Sequence, residues 1–248
     1  MKVKLGQNFL IDKNVAKREI EYAGVKDTDI ILEIGPGKGI LTKLILEKAK
    51  KVIAIEYDKK LYHNLNKEKS EKLELILADA IKVDLSNYKF NKIIANLPFQ
   101  ISSPITFKLL GQDFESAVMI YQLDFAKRMV AMPGSKDYSN LTVIMYYKTF
   151  CEIIEKISKN CFNPKPKVDA AIVRIFPLRK PPFKVKNEKF FFTITRLLFN
   201  HRRKMINTII SNNFKNINFK NIPFSTMRVG ELTPENIGYL SDYIFEII

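Results

Sequence analysis

The amino-acid sequence predicts an α/β fold: a doubly wound, Rossmann-like sheet ending in an antiparallel pair, followed by a small all-α domain. Three observations predict it. Strand-length apolar runs alternate with helical patterns through the first two thirds of the chain, the rhythm of a parallel sheet covered on both faces. A glycine-rich turn separates the first run from the first helix. Composition shifts near Pro177, and beyond it the patterns are helical.

Taken in order, Ile30–Ile34 reads as a buried strand and residues 40–49 as a helix. Val52–Ile55 is the next strand, and a polar helix is expected from Asp58 to about Lys69. Leu73–Leu77 and Lys92–Ala95 follow as strands. A helix over Pro104–Leu110, a strand at Ala117–Tyr121 and a helix near Asp124–Met132 continue the alternation. Leu141–Phe150 and Val168–Phe176 lack an intervening crossover helix and read as the antiparallel pair, joined across the proline-containing stretch 163–167. Arg179-Lys-Pro-Pro182 reads as a linker, since proline removes backbone donors and resists helix. Helices are expected over Phe190–Phe199, Arg202–Asn212 and from Pro234 onward. The expected domains are 1–178 and 179–248.

The 248 residues carry a formal net charge of +15. Ten of those excess charges lie in residues 179–220, where eleven Lys and Arg face one acid, Glu188. Such a balance suits a polyanionic partner, because cations that displace counterions from phosphates dominate non-specific nucleic-acid affinity. Two cysteines, Cys151 and Cys161, build no disulfide framework and point to a reducing, cytoplasmic compartment. His63 and His201 stand far apart, so no metal site is expected. The amino terminus lacks the apolar core of a signal peptide, and no apolar run approaches the roughly 20 residues that span a bilayer. No membrane association is expected.

Glu33-Ile-Gly-Pro-Gly-Lys-Gly39 joins the first strand to the first helix. Gly35, Gly37 and Gly39 allow a tight turn and a close ligand approach to the backbone. A dinucleotide fingerprint requires glycine at position 40, where this chain has Ile40; the spacing suits a ligand without a pyrophosphate. Glu56 ends the second strand, where a carboxylate can accept both ribose hydroxyls of an adenosyl group. Asp79 follows the third strand, either as an acceptor for the adenine amine or as a helix N-cap. All three positions lie at carboxyl ends of strands, where open α/β sheets hold their ligands.

The fourth strand runs into Asn96-Leu-Pro-Phe99. Methylating an exocyclic amine is hard because its lone pair is delocalised into the ring. Two acceptors aimed at the amine hydrogens favour a pyramidal nitrogen. The candidates are the Asn96 side-chain oxygen and the Leu97 carbonyl, the latter held extended by Pro98. The Phe99 ring offers a stacking face. A strand ending at an ordinary Asn-Pro type turn is the plain alternative.

With these motifs in this order, the chain closely resembles the ribosomal RNA adenine dimethyltransferase family. The resemblance spans nearly the whole length. It includes Gly6-Gln-Asn-Phe-Leu10, Glu33–Gly39, Glu56, Ala78-Asp-Ala80, Asn96–Phe99 and Ala126-Lys-Arg128. Pro133-Gly-Ser-Lys-Asp-Tyr138, Phe162–Val168 and Phe199-Asn-His-Arg-Arg-Lys204 continue it. The resemblance implies two successive methyl transfers to N6 of each of two adjacent adenines near the 3′ end of small-subunit rRNA. S-adenosylmethionine is the implied donor and S-adenosylhomocysteine the product; an immature ribosomal subunit is the implied substrate. A monomer is expected. The resemblance further implies that Asn8 and Leu10 contact the methionine part of the cofactor, that Gly35, Glu56, Asp79 and Asn96 complete the set, and that residues 96–99 form the catalytic loop. The family often has tyrosine where this chain has Phe99, so no hydroxyl acts there. The small helical domain is implied to help grip the rRNA. A sister group methylates one adenine of large-subunit rRNA. An assembly factor acting mainly by binding the immature subunit, or a large-subunit or DNA adenine methyltransferase, are the alternatives.

Overall fold

The computed structural model describes residues 7–67, 70–214 and 221–248. Gly6, the last residues of the helix expected to reach Lys69, and Lys215 and Lys220 of the basic stretch lie outside the described residues. The chain divides into two compact units, Met1–Ala126 with Glu152–Pro177, and Lys127–Cys151 with Leu178–Ile248.

In the first unit, β1 (Phe9–Leu10) leads into α1 (Lys13–Ala23). The Asp12 carboxylate caps α1 by accepting from the Asn14 N–H at 2.8 Å, and Gly24 ends it at φ 54°. Next come β2 (Ile30–Ile34), α2 (Ile40–Lys48), β3 (Lys51–Glu56), α3 (Lys59–Leu65) and β4 (Leu73–Leu77). β5 (Lys92–Asn96), α4 (Ser102–Leu109), β6 (Ser116–Gln122) and α5 (Leu123–Met129) complete the alternation. After α6 (Asn140–Lys148) come β7 (Thr149–Ile157), β8 (Phe162–Asn163) and β9 (Ala170–Pro177).

The main sheet has the order β4-β3-β2-β5-β6-β9-β7. β2 pairs in parallel with both β3 and β5, and β6 pairs antiparallel with β9. The chain winds first to one side of β2 and then returns to its other side. The gap at the carboxyl ends of β2 and β5 is therefore the topological switch point, where doubly wound sheets bind ligands. Ile31, Leu32, Ile34, Val52, Ile53, Ile55, Ile93 and Ile94 are buried, as expected for strands covered on both faces. A separate two-stranded sheet pairs β1 antiparallel with β8.

Residues 141–148, expected as strand, are the helix α6, and the two last strands of the main sheet are 149–157 and 170–177 instead. The helix buries Leu141, Thr142, Val143, Ile144, Met145 and Tyr147. Apolar on nearly all sides, it shows no 3.6-residue periodicity, and its β-branched content imitates a strand. Residues 127–151 also belong to the second unit rather than to the expected domain 1–178, because Tyr138, Val143 and Tyr147 share its core. That core joins them to α7 (Glu188–Phe199), α8 (Ile206–Asn213) and α9 (Pro234–Ile247). On α7, Ile194 and Leu198 are fully buried, with Phe190 and Leu197 packed beside them. The later cut between the units falls at 177/178.

Candidate active site

A pocket of ≈ 970 Å³ opens in the first unit at the switch point. Asn8, Leu10, Gly35, Gly37, Glu56, Asp79, Asn96 and Pro98 all line it. Leu97 and Phe99 do not. Leu97 is 2% exposed, so only its backbone is in play. The Phe99 ring lies 6.4 Å from the Phe162 ring at an interplanar angle of 62° and packs partly into the core.

The glycine turn takes its shape from left-handed backbone. Gly37 has φ 58°, and a Cβ there would stand 3.1 Å from the Phe9 ring. Gly39 has φ 78°, and its Cβ would meet Leu65 at 2.8 Å. Any larger residue at either position is strained twice, by torsion and by space. Gly35 fills a third role: a Cβ on it would lie 3.5 Å from the Pro98 ring. The turn after β2 and the tetrapeptide after β5 therefore face each other, with a methyl-sized space between Gly35 and Pro98.

Glu56, only 3% exposed, stands against the glycine turn. Its Oε2 accepts from the Gly37 N–H at 3.0 Å and its Oε1 from the Asp58 N–H at 2.8 Å. Burial pushes the carboxyl above its ordinary range, against the pull of those N–H groups. A carboxylate oxygen has about two lone-pair directions, so each retains one for a ligand hydroxyl. Asp79 Oδ1 accepts from the Ile81 N–H at 2.9 Å. The turn-capping reading of Asp79 is thus real for one oxygen, and the other makes no hydrogen bond among the described residues.

Asn96 Nδ2 donates to the Asn8 carbonyl at 3.3 Å, and Asn96 Oδ1 is buried without a hydrogen-bond partner among the described residues. A buried orphan acceptor beside a ligand pocket is costly unless a donor arrives. Among the pocket residues that the sequence reading did not single out as ligand contacts are Phe9, Tyr57 and Ile81. Phe9 packs on the glycine turn, with Lys38 Nζ 5.1 Å from its ring centroid. Tyr57 and Ile81 are large apolar residues left 59% and 38% exposed at the pocket wall. Each stands one or two positions behind a site carboxylate at a strand end, and that adjacency is the signal that could have found them.

A model of the family described as ribosomal RNA adenine dimethylase matches residues 1–244. The chain belongs to that family. Among its relatives, a protein named probable ribosomal RNA small subunit methyltransferase A from Methanococcus maripaludis is 44% identical, covering 98% of this chain and 97% of the relative. A protein of the same name from Thermococcus onnurineus is 42% identical over 97% of this chain and 91% of its own. Among solved structures, a dimethyladenosine transferase from Plasmodium falciparum is similar with TM-score 0.80, 30% identity and 96% coverage of each chain. The 23S rRNA methyltransferase ErmE is similar with TM-score 0.72 and 25% identity, covering 96% of this chain and 100% of that one.

As a member of the adenine dimethylase family, the chain is a methyltransferase with a Rossmann-like sheet. Its pocket fits the adenosyl donor such enzymes use: a glycine turn open to close approach, a buried carboxylate with spare acceptor directions, and apolar walls. Among the described residues, no cluster of three His, Cys, Asp or Glu could hold a metal ion. No described helix is long and apolar enough to cross a membrane.

Proposed function

We propose that this enzyme dimethylates N6 of two adjacent adenines near the 3′ end of small-subunit rRNA, within an immature ribosomal subunit. The observation that carries the reading is that Asn96 and Pro98 line the same pocket as Gly35, Glu56 and Asp79, with Pro98 facing Gly35. S-adenosylmethionine, when bound, supplies an activated methyl on a sulfonium centre and leaves as S-adenosylhomocysteine.

Glu56 is the acceptor for the ribose hydroxyls, and Asp79 for the adenine amine of the donor. Tyr57 and Ile81 offer apolar faces for that ring. Asn8 and Leu10, from β1 and the residue before it, hold the amino-acid end. The amine to be methylated is oriented by two acceptors, Asn96 Oδ1 and the Leu97 carbonyl, and the partly exposed Phe99 ring is the platform for its base. A neutral Asn suits this position, because the transfer consumes a positive charge and a nearby carboxylate would stabilise the reactants. Alignment then dominates the rate. After one transfer the nitrogen still carries one hydrogen, so a second transfer needs only room for the first methyl. The target adenine must be unpaired or flipped from its stack, at a cost of a few kcal/mol.

The relatives' names support the small subunit as substrate, and the basic second unit supports an rRNA grip. On the same reading the enzyme is cytoplasmic and acts as a monomer. The test is transfer of labelled methyl groups to unmodified small subunits, followed by mapping of the modified nucleotides. Label on two adjacent adenines near the 3′ end is the expected result. Label confined to large-subunit rRNA, DNA or protein overturns the substrate.

A further inference from the structure

The loop after β4 brings Asp79 and Ile81 to the wall of the cofactor pocket, and its backbone is folded in on itself. The Ala78 N–H donates to the Glu56 carbonyl at 3.0 Å, which ties the start of the loop to β3. The N–H groups of Lys82 and Val83 both donate to the Asp79 carbonyl at 2.9 Å, and the Ile81 N–H donates to Asp79 Oδ1. With these N–H groups turned inward on Asp79, the carbonyls of Ile81 and Val83 need a donor from elsewhere.

Lys108 supplies it. Its Nζ donates to the Ile81 carbonyl at 2.7 Å and also to the Val83 carbonyl. Among the described residues neither carbonyl has another donor. Hydrogen bonds from a charged donor are roughly twice as strong as those between neutral groups. The helix that carries Lys108 is a firm base. α4 begins at Ser102, three residues beyond Phe99, and Ile105, Thr106 and Leu109 on it are buried. Thr106 Oγ1 donates to the Ser102 carbonyl at 2.7 Å and lies 3.0 Å from the Tyr121 hydroxyl of β6. Lys108 stands in the last turn, and its ammonium leaves the helix to reach the loop. It does not line the pocket itself.

A binding group works well only while its support holds it within about 0.5 Å of the productive position. Lys108 fixes where the Ile81 peptide stands, and through the Ile81 N–H it fixes Asp79 Oδ1. We propose that Lys108 is a positioning residue for adenine recognition: by holding the Ile81 and Val83 carbonyls it aims the unbonded Asp79 oxygen and the Ile81 side chain at the adenine of the donor. The inference rests on the reading of Asp79 as acceptor for the adenine amine. Removing the ammonium leaves two carbonyls to water, while the bonds to Asp79 remain. The loop then keeps its turn but loses its aim, and the choice of base suffers rather than the fold.

Calorimetry with two ligands tests this: S-adenosylhomocysteine, and S-inosylhomocysteine, in which a carbonyl oxygen replaces the adenine amine. The unsubstituted enzyme should prefer the adenosyl ligand by about 10–100-fold, the scale of a hydrogen bond to a charged group. Asp79→Ala should abolish that preference. Lys108→Met keeps the length of the stem and should shrink the preference roughly tenfold, because a misaimed hydrogen bond weakens steeply. Lys108→Arg should restore most of it, since the guanidinium also offers charged N–H groups to the carbonyls. Unfolded protein lowers the number of sites titrated and leaves the ratio of the two affinities untouched, so a loss of fold does not imitate the result. Full preference in Lys108→Met, or a preference lost equally in Lys108→Arg, overturns the role of Lys108 and leaves Asp79 as the acceptor. Equal binding of the two ligands by the unsubstituted enzyme removes the reading of Asp79, and the inference with it.

Discussion

Asn96 Nδ2 donates to the carbonyl of Asn8 at 3.3 Å, across 88 positions of sequence. That bond ties the end of β5 to the segment that precedes every helix of the first unit. It also engages the donor side of the amide and leaves Oδ1, the acceptor, without a partner among the described residues. Asn96→Ala should therefore lower methyl transfer by about 10²–10³-fold, the scale of removing one oriented polar group from a reaction centre. Binding to small subunits should stay within about threefold, because the change lies inside the pocket. Transfer and particle binding measured on the same preparation decide it. Equal loss of both would end the assigned role.

Gly37→Ala should be the more damaging of two small changes at left-handed glycines. The torsion of 58° costs a non-glycine residue about 1–3 kcal/mol. The new methyl would also press on the Phe9 ring at 3.1 Å, and Phe9 is itself part of the pocket. Gly134→Ala is the reference, since its φ is 82° but nothing lies within 4 Å of the added carbon. Both variants should lose stability in urea denaturation, and only Gly37→Ala should also weaken binding of S-adenosylmethionine in calorimetry.

Much of the sheet was legible because its strands are buried on both faces, and runs such as Ile30–Ile34 need no periodicity to be seen. Glu56 and Asp79 were legible because an acid at the end of such a run, or just beyond it, marks a strand end. α1 was not. Its buried face is Val15, Ala16, Glu19, Ile20 and Ala23, and an acid in that stripe hides the helical pattern. α6 was misread for the opposite reason, an excess of apolar residues. The Phe99 ring shows the limit of a motif: sequence identifies the aromatic, but its contact with Phe162, 63 residues away, decides how much of the ring is open.

Lys92 and Asp29 form a buried pair at the foot of β5, with Nζ 2.8 Å from Oδ2 and side chains 10% and 4% exposed. Lys92 Nζ also donates to the Gly24 carbonyl at 2.7 Å, and Asn91 Nδ2 donates to Asp29 Oδ1 at 2.8 Å. Burial pushes the Asp29 carboxyl up, but the hydrogen bonds from Lys92, Asn91 and the Lys26 N–H outweigh it and hold the group below its ordinary range. Lys92→Met should cost about 3–5 kcal/mol by leaving a buried carboxylate uncompensated. Adding Asp29→Asn should recover much of that loss. Denaturant midpoints of the two single variants and the double close the cycle; additive losses would show that the pair is not coupled.

Glu33 and Glu19 supply a pH dependence of unusual sign. They are 1% and 0% exposed, and no carboxyl oxygen of either has a hydrogen-bond partner among the described residues. Burial pushes Glu33 up to about 8; the neighbouring Thr42 works against that rise and the charge of Glu56 adds to it. Glu19 is raised by its own burial and by the nearby Glu33. In the unfolded chain Glu33 loses its proton near the ordinary value of 4.5. Between there and pH 8 the folded state keeps a proton that the unfolded state has released, so stability falls as pH rises. The contribution is complete below about pH 4.5 and lost above about 8. Glu33→Gln imitates the protonated acid at every pH. It should therefore match the parent at pH 5 and exceed it by on the order of 2 kcal/mol at pH 8, since each tenfold change in proton affinity is worth about 1.4 kcal/mol and relaxation of the fold absorbs part of the total. Urea denaturation at the two pH values measures this directly. A variant that loses stability from pH 5 to 8 as steeply as the parent would mean that Glu33 is ionised in the fold, and that a cation or water reaches it.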